Sequence, residues 1–278
     1  LTTQGVVMGQ GPAVLLPAPV LADGLSAEAQ DQALRAMKQV RGADPLQALG
    51  GSEYKLDLQF GKKHFPGPPT ARRLDIYFIV DSELAQVADE EFLKARFSQG
   101  NAQPGEVHTL NEQELSQRGL SAESSPGRKV RYAGAEFDIF ERVRVSGGGM
   151  TVLTESESAV VLAAQLDRRF DNDADFPNAW RPLKLDAHRK PVPGEPQPYS
   201  GVGAYVKATA LQAKPGAKNA RPRVFVEYHL VFDEPQGWFN GQPILSSKLP
   251  IAARDGVRKF RDALAKQNQA PAESAANR

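Results

Sequence analysis

The stretch from Arg223 to Gly241, RVFVEYHLVFDEPQGWFNG, with its continuation QPILSSKLPIAARDGVRKFRDALAK up to Lys266, decides how the whole chain is read. Its first half alternates, and the more apolar face carries Val224, Val226, Tyr228, Leu230 and Phe232, the two-residue period of a strand. Glu227 and His229 share the opposite face, toward solvent or a covering loop. Asp233, Pro235 and Gly237 then make a turn, and Trp238 and Phe239 supply two large rings at the start of a helix. That helix is predicted from about Ser247 or Leu249 to Lys266, with Ala253, Val257, Phe260 and Leu264 on one face and Arg254, Arg258, Lys259 and Arg261 elsewhere. Strand, aromatic corner and amphipathic helix together describe a helix laid on a sheet.

Working outward, Val202–Leu211 reads as a second long strand, separated from the first by Lys214-Pro215-Gly216, Lys218-Asn219 and Pro222, a solvated connection. Ser158–Leu166 is nearly continuous in apolar residues and is predicted to be a central strand. Phe137, Ile139, Val143 and Val145 alternate with charges, and Gly147-Gly148-Gly149 is expected to supply positive φ angles for a hairpin whose return strand is Met150–Thr154. Nearer the N-terminus, Leu56, Leu58 and Phe60 alternate, as do Leu74, Ile76, Phe78 and Val80, and Phe65-Pro66-Gly67-Pro68-Pro69 must be the loop between them.

Helical spacing marks Ser26–Arg41, capped by Ser26 and closed by Gly42, and a short turn from Asp44-Pro45 to Gly50-Gly51. A third helix is expected over Ser82–Phe97, and a fourth from a capping box at Thr109-Leu110-Asn111-Glu112 to Gly119. Residues 120–130 read as a surface loop and a candidate subdomain boundary. Strands and helices are segregated, so the fold class is α+β: an antiparallel sheet of about seven strands, a long C-terminal helix packed on it, and a small helical insert. Residues 26–267 form the expected single domain, with a disordered leader over 1–25 and a disordered tail over 268–278.

The chain has 278 residues, 34 Lys+Arg against 33 Asp+Glu, 41% hydrophobic residues and no Cys. The length can bury a sizeable core. A net charge near zero excludes a strongly basic nucleic-acid binder, and no nucleic-acid partner is expected. No apolar run approaches the ~20 residues of a transmembrane helix. Absent Cys excludes disulfides, thiol nucleophiles and zinc–thiolate centres. The proline-broken apolar run Gly11–Leu21 is not an intact signal peptide, though it fits the leader of a periplasmic or extracellular protein, and export is the expectation.

Candidate chemistry is sparse. Asp171, Asp173 and Asp175 alternate as hard-cation ligands would, but Phe176 and Pro182 stand where a calcium loop needs Gly and Glu, so no metal is expected. Trp180 and Arg181, between Pro177 and Pro182, either stack on and hold an anionic ligand or anchor their loop. Trp238 and Phe239 form either a ligand gate or the joint between strand and helix. Glu227 and His229 would be a polar pair only if their face were the inner one. No histidine has metal-ligand spacing, and no nucleophile, base and orienting acid come together, so the reading leans away from an enzyme and implies no cofactor.

The C-terminal segment Arg223–Lys266 resembles the end of the START, or helix-grip, lipid-binding superfamily: a long strand, the turn at Asp233, Pro235 and Gly237, then Trp238 and a long amphipathic helix. The resemblance covers under a fifth of the chain. It implies a sheet gripping a helix with an apolar small molecule or lipid between them, and Trp180, Arg181, Tyr205, Trp238, Phe239 and Phe260 are the candidate ligand contacts. The alternative is an exported structural or protein-interaction domain without a cavity, and a hydrolase-like enzyme with an unrecognised site comes third. A continuous apolar cavity of ~300 Å³ or more would favour the binding module, and a solid core the structural domain.

Overall fold

The computed structural model describes residues 1–9, 11–40, 44–89, 92–93, 106–188, 190–213 and 221–276, without the side chains of Gln39, Glu106 and 268–276. Much of the predicted Ser82–Phe97 helix and of the 214–220 connection lies outside them. Two long strands dominate the centre of the sheet, β11 (Val202–Leu211) and β12 (Arg223–Asp233). To one side of them stand β2 (Ala71–Asp81) and β1 (Lys55–Phe60). To the other stand β7 (Ala159–Leu166), β6 (Val143–Glu155), β5 (Arg128–Ile139) and β3 (Glu106–Thr109), giving the order β1-β2-β12-β11-β7-β6-β5-β3. Every one of these pairings is antiparallel. The expected fold class therefore holds, with β7 in the interior of the sheet as its apolar run predicts.

The sheet has 12 strands, more than the seven read from the sequence. The surplus lies in short pieces: β4 (Ser124–Ser125), β9 (Pro191–Pro193) and β10 (Gln197–Pro198) have too few residues to display a period. The segment around Trp180, read as a loop because of its prolines, contains the strand β8 (Ala179–Leu185). Pro182 is tolerated there because β8 pairs only with the first four residues of β6, Val143 to Ser146, outside the main run of strands.

The glycine triplet is the second difference. β6 runs unbroken through Gly147–Gly149, and the hairpin turn lies earlier, at Phe140 and Glu141, which both have positive φ (51° and 57°). The glycines serve a fork instead: β6 pairs with β8 up to Ser146 and with β7 from Gly149 onward. There the ring of Phe170 lies on the backbone, and a Cβ on Gly148 would come within 2.0 Å of it. Residues of a neighbouring loop thus demand glycine where the sequence suggested a turn.

Helices close both faces. α1 (Ala27–Ala36) is capped by Ser26, and α2 (Pro45–Leu49) by Asp44. α1 is shorter than read, because Met37 turns extended and a single 3₁₀ turn, Lys38–Val40, takes over. α3 (Leu84–Val87) belongs to the insert, and the capping box of α4 (Glu112–Gln117) is Asn111 with Glu114, two residues later than expected. Leu120 and Val130, at the two ends of the 120–130 stretch, bury in one cluster with Phe170. The C-terminal helix α5 spans Ile244–Ala276, beyond the expected end at Lys266.

Of the first 25 residues, expected to be disordered, the described ones lie across the sheet face opposite α5. Val6 and Val14 exchange backbone hydrogen bonds of 2.9 Å, and Val6, Met8, Val14, Leu16 and Leu21 are buried. The prolines that interrupt the apolar run Gly11–Leu21 permit an extended strap, and its apolar residues fall where the sheet offers Tyr205, Val231 and Phe225.

Candidate functional site

Where α5 covers it, the sheet is apolar. Leu74, Ile76, Phe78, Val206, Val224 and Val226 meet Ala253, Val257, Phe260 and Leu264 of the helix. Phe260 is the centre of this contact, edge-on to Phe78 at 5.4 Å and to Phe92 at 5.0 Å between centroids. Arg261 locks the helix alongside by donating to three backbone carbonyls: Ile79 (3.0 Å), Leu49 (2.9 Å) and Glu53 (2.6 Å).

Between helix and sheet lies a cavity of about 10 Å³, lined by Val87, Leu93, Val160, Leu162, Val206, Ala208, Val226 and Phe260. That is room for about one water and not for a lipid. Beside it the same face changes character. Ala204, Ala164 and Thr151 follow one another from β11 to β6 in register, and one pair further along β6 Gly149 stands opposite Ala133 of β5; all five are half-buried and small. They form a shallow floor between the helix-covered strands and the β5 edge.

No family model matches the chain, and no curated protein does. Solved structures do. A STAR-related lipid transfer protein fragment (residues 25–204) from Xanthomonas axonopodis matches over 76% of this chain and 93% of its own, with 11% identity and a TM-score of 0.40. The chain resembles STAR-related lipid transfer domains. Human STARD10 (9% identity, 80% of this chain, 78% of its own, TM-score 0.38) and the lipid transfer and protein localization domain of human StarD13 (8%, 76%, 84%, 0.39) are also similar. At such identities the likeness concerns the fold.

The six residues singled out in the sequence fall in three places. Trp180, Trp238 and Phe239 come together with Tyr199, Phe232 and Leu245 in one aromatic cluster at the start of α5. Arg181 neighbours this cluster on β8, half-buried. Phe260 is in the helix–sheet interior, and Tyr205 is on the opposite face, its hydroxyl donating to Pro17 O at 2.8 Å. Trp238 stacks on Tyr199 at 5.5 Å, stands edge-on to Phe239 at 6.0 Å, and is only 3% exposed. Such burial is the geometry of a joint. Trp238→Ala is therefore expected to cost ~3 kcal/mol or more in urea unfolding, read in a Trp180→Phe background by far-UV circular dichroism. A loss near zero would restore the gate.

The acidic loop is internally engaged. Arg118 reaches Asp173 at 2.7 Å and Asp175 at 2.6 Å, Asn178 donates to Asp171 at 2.9 Å, and Asp173 also accepts the backbone amides of Asp175 and Phe176. Arg118 lowers the Asp173 pKa, and the carboxylates face a guanidinium.

The outer face holds a polar cluster that sequence reading only half found. Glu227 and His229 are completely buried, and Asp75 is 2% exposed, all beneath the strap. His229 places Nδ1 2.7 Å from Asp75 Oδ1 and Nε2 3.3 Å from Glu227 Oε2. Arg73 donates to Asp75 at 3.2 Å, and Lys207 donates to Leu21 O at 2.8 Å and to Asp23 at 2.5 Å. Burial pulls the His229 pKa down, but the hydrogen bonds with Asp75 and Glu227 outweigh it and the net direction is up. The shared face of Glu227 and His229 was legible from their two-residue spacing. Asp75 was not, because it comes from β2, 154 residues away in the chain, through the pairing His229↔Asp75.

Proposed function

We propose that the chain is a non-catalytic module that holds an apolar or amphipathic small molecule between its sheet and its C-terminal helix. The observation that carries this reading is the apolar interior under α5, which continues into the half-buried floor of Ala204, Ala164 and Gly149. A ligand of lipid size needs ~300 Å³, so binding requires α5 to lift from the sheet and the ligand to replace its contacts. The lipid transfer activity named for the similar structures agrees with this reading. Export belongs to the same proposal, as does Arg181, half-buried beside the aromatic joint, as a contact for an anionic group of the ligand.

The 10 Å³ cavity itself favours the second reading, a structural or protein-interaction domain whose core is full. Native mass spectrometry of gently extracted protein separates the two. A retained mass of lipid size supports the module, and a clean apo mass supports the full core. Ala164→Leu sharpens the test, since Ala164 is half-buried on the floor and the added atoms would occupy it. We expect that variant to keep its stability within ~1 kcal/mol and to lose the retained mass. Undiminished ligand in Ala164→Leu would remove the floor from the site.

A further inference from the structure

We propose that Asp75, His229 and Glu227 form a proton-operated latch that holds residues 17–23 of the strap on the outer face of the sheet. Glu227 Oε2 is the shared point. It accepts the Val20 N–H at 2.9 Å and lies 3.3 Å from His229 Nε2. The other oxygen, Oε1, is buried with no hydrogen-bond partner among the described residues. A carboxylate held this way costs free energy unless its one engaged oxygen is well served. When Nε2 carries a proton it donates to that oxygen. When it does not, two acceptors face each other and the strap's amide is the only donor left.

The charges around the latch come nearest to balance in the protonated form. β12 contributes Glu227 and His229, β2 contributes Asp75 and Arg73, β11 contributes Lys207, and the strap contributes Asp23. With Asp57, which stands opposite Asp75 on β1, the protonated latch sets three cations against four carboxylates, and loss of the imidazolium proton leaves two cations against four. The flanking rings, Tyr77 from β2 at 5.4 Å and Tyr205 from β11 at 4.7 Å, stay neutral because burial first, and then Asp75 and Glu227, push their pKa values up. From β1, Asp57 accepts from Gln59, whose side-chain oxygen accepts from Arg73.

The direction follows from linkage. His229 has a raised pKa in the docked state, so the latch is fully engaged below the ordinary histidine value of 6.5 and is lost as pH rises through the raised value. The strap is tied to the same face at three further points, Tyr205 to Pro17 O and Lys207 to Leu21 O and to Asp23, so its release is one local event. The balance concerns the outer face alone and stands whether or not a ligand enters under α5.

The test uses the wild-type chain. Histidine ¹⁵N NMR gives the His229 titration midpoint, and hydrogen exchange, corrected for intrinsic rates, is followed for peptides covering residues 17–23 on either side of it. We expect protection of those residues to fall about tenfold or more for the one linked proton, while Val224–Leu230 stays protected. Glu227→Gln, which cannot form the charged pair, should flatten the pH dependence to within about twofold. Equal strap protection on both sides of the midpoint overturns the latch. So does a His229 that never titrates over the range in which the core stays folded, or a loss of protection that strap and core share equally.

Discussion

Phe260→Ala should unfold at markedly lower denaturant, with a stability loss of about 3–5 kcal/mol. The ring is 5% exposed, stands edge-on to both Phe78 and Phe92, and lines the cavity of about 10 Å³ under α5. Truncation would enlarge that cavity where the helix can settle little, because Arg261, the next residue, is fixed to Ile79 O, Leu49 O and Glu53 O. The lost transfer energy and the cavity therefore add. Urea unfolding followed by circular dichroism measures the sum. A loss below ~1 kcal/mol would mean that α5 is not seated on the sheet as described.

The second large effect is expected on the other face. His229→Ala removes the cation between two buried carboxylates and leaves Asp75 with Arg73, and Glu227 with the Val20 amide alone. Deleting one member of a buried charged network costs about 3–5 kcal/mol, mainly because the remaining charges are stranded. The pH dependence identifies the cause. Since the His229 pKa is raised in the folded protein, its contribution is complete below about 6.5 and declines as pH rises through the folded value. The gap between wild type and variant should therefore be widest in mildly acidic urea and narrow on going alkaline. A gap that is already below ~1 kcal/mol near pH ~6, or one that widens with pH, would contradict this account.

These two residues show what a single sequence makes legible. Phe260 could be placed from the sequence because Val257, Phe260 and Leu264 repeat at helical spacing, and local spacing is what a sequence displays. The strands at Leu56, Leu74, Val202 and Arg223 were readable for the same reason. What escaped depends on distant partners. Gly147–Gly149 look like a turn until Leu166 and Asn178 are known to crowd Gly147, Phe170 to lie on Gly148 and the Gln165 backbone to pass Gly149, and Pro12, Pro17 and Pro19 look like disorder until the sheet beneath the strap is known to carry Glu227, Tyr205 and Lys207 as hooks for its backbone. Of the candidate contacts, Trp180, Trp238 and Phe239 met because their strands and corner adjoin. Tyr205 fell on the far face because its position in the alternation puts it opposite Val206.

The order of the strands also sets a timetable for synthesis. β2, whose Leu74–Val80 are buried without a break, is flanked by β1, made just before it, and by β12, made some 150 residues later. During most of translation the nascent chain thus offers a long, sticky β edge with no permanent neighbour, and the strap at its own N-terminus must wait for the same late strands. Loop closure over such separations is slow, and an unpaired apolar edge recruits other chains meanwhile. Yield from a ribosome should therefore respond to holdase chaperones more than to any change in the finished protein's stability, and ribosome-bound chains ending before residue 223 should be their best clients.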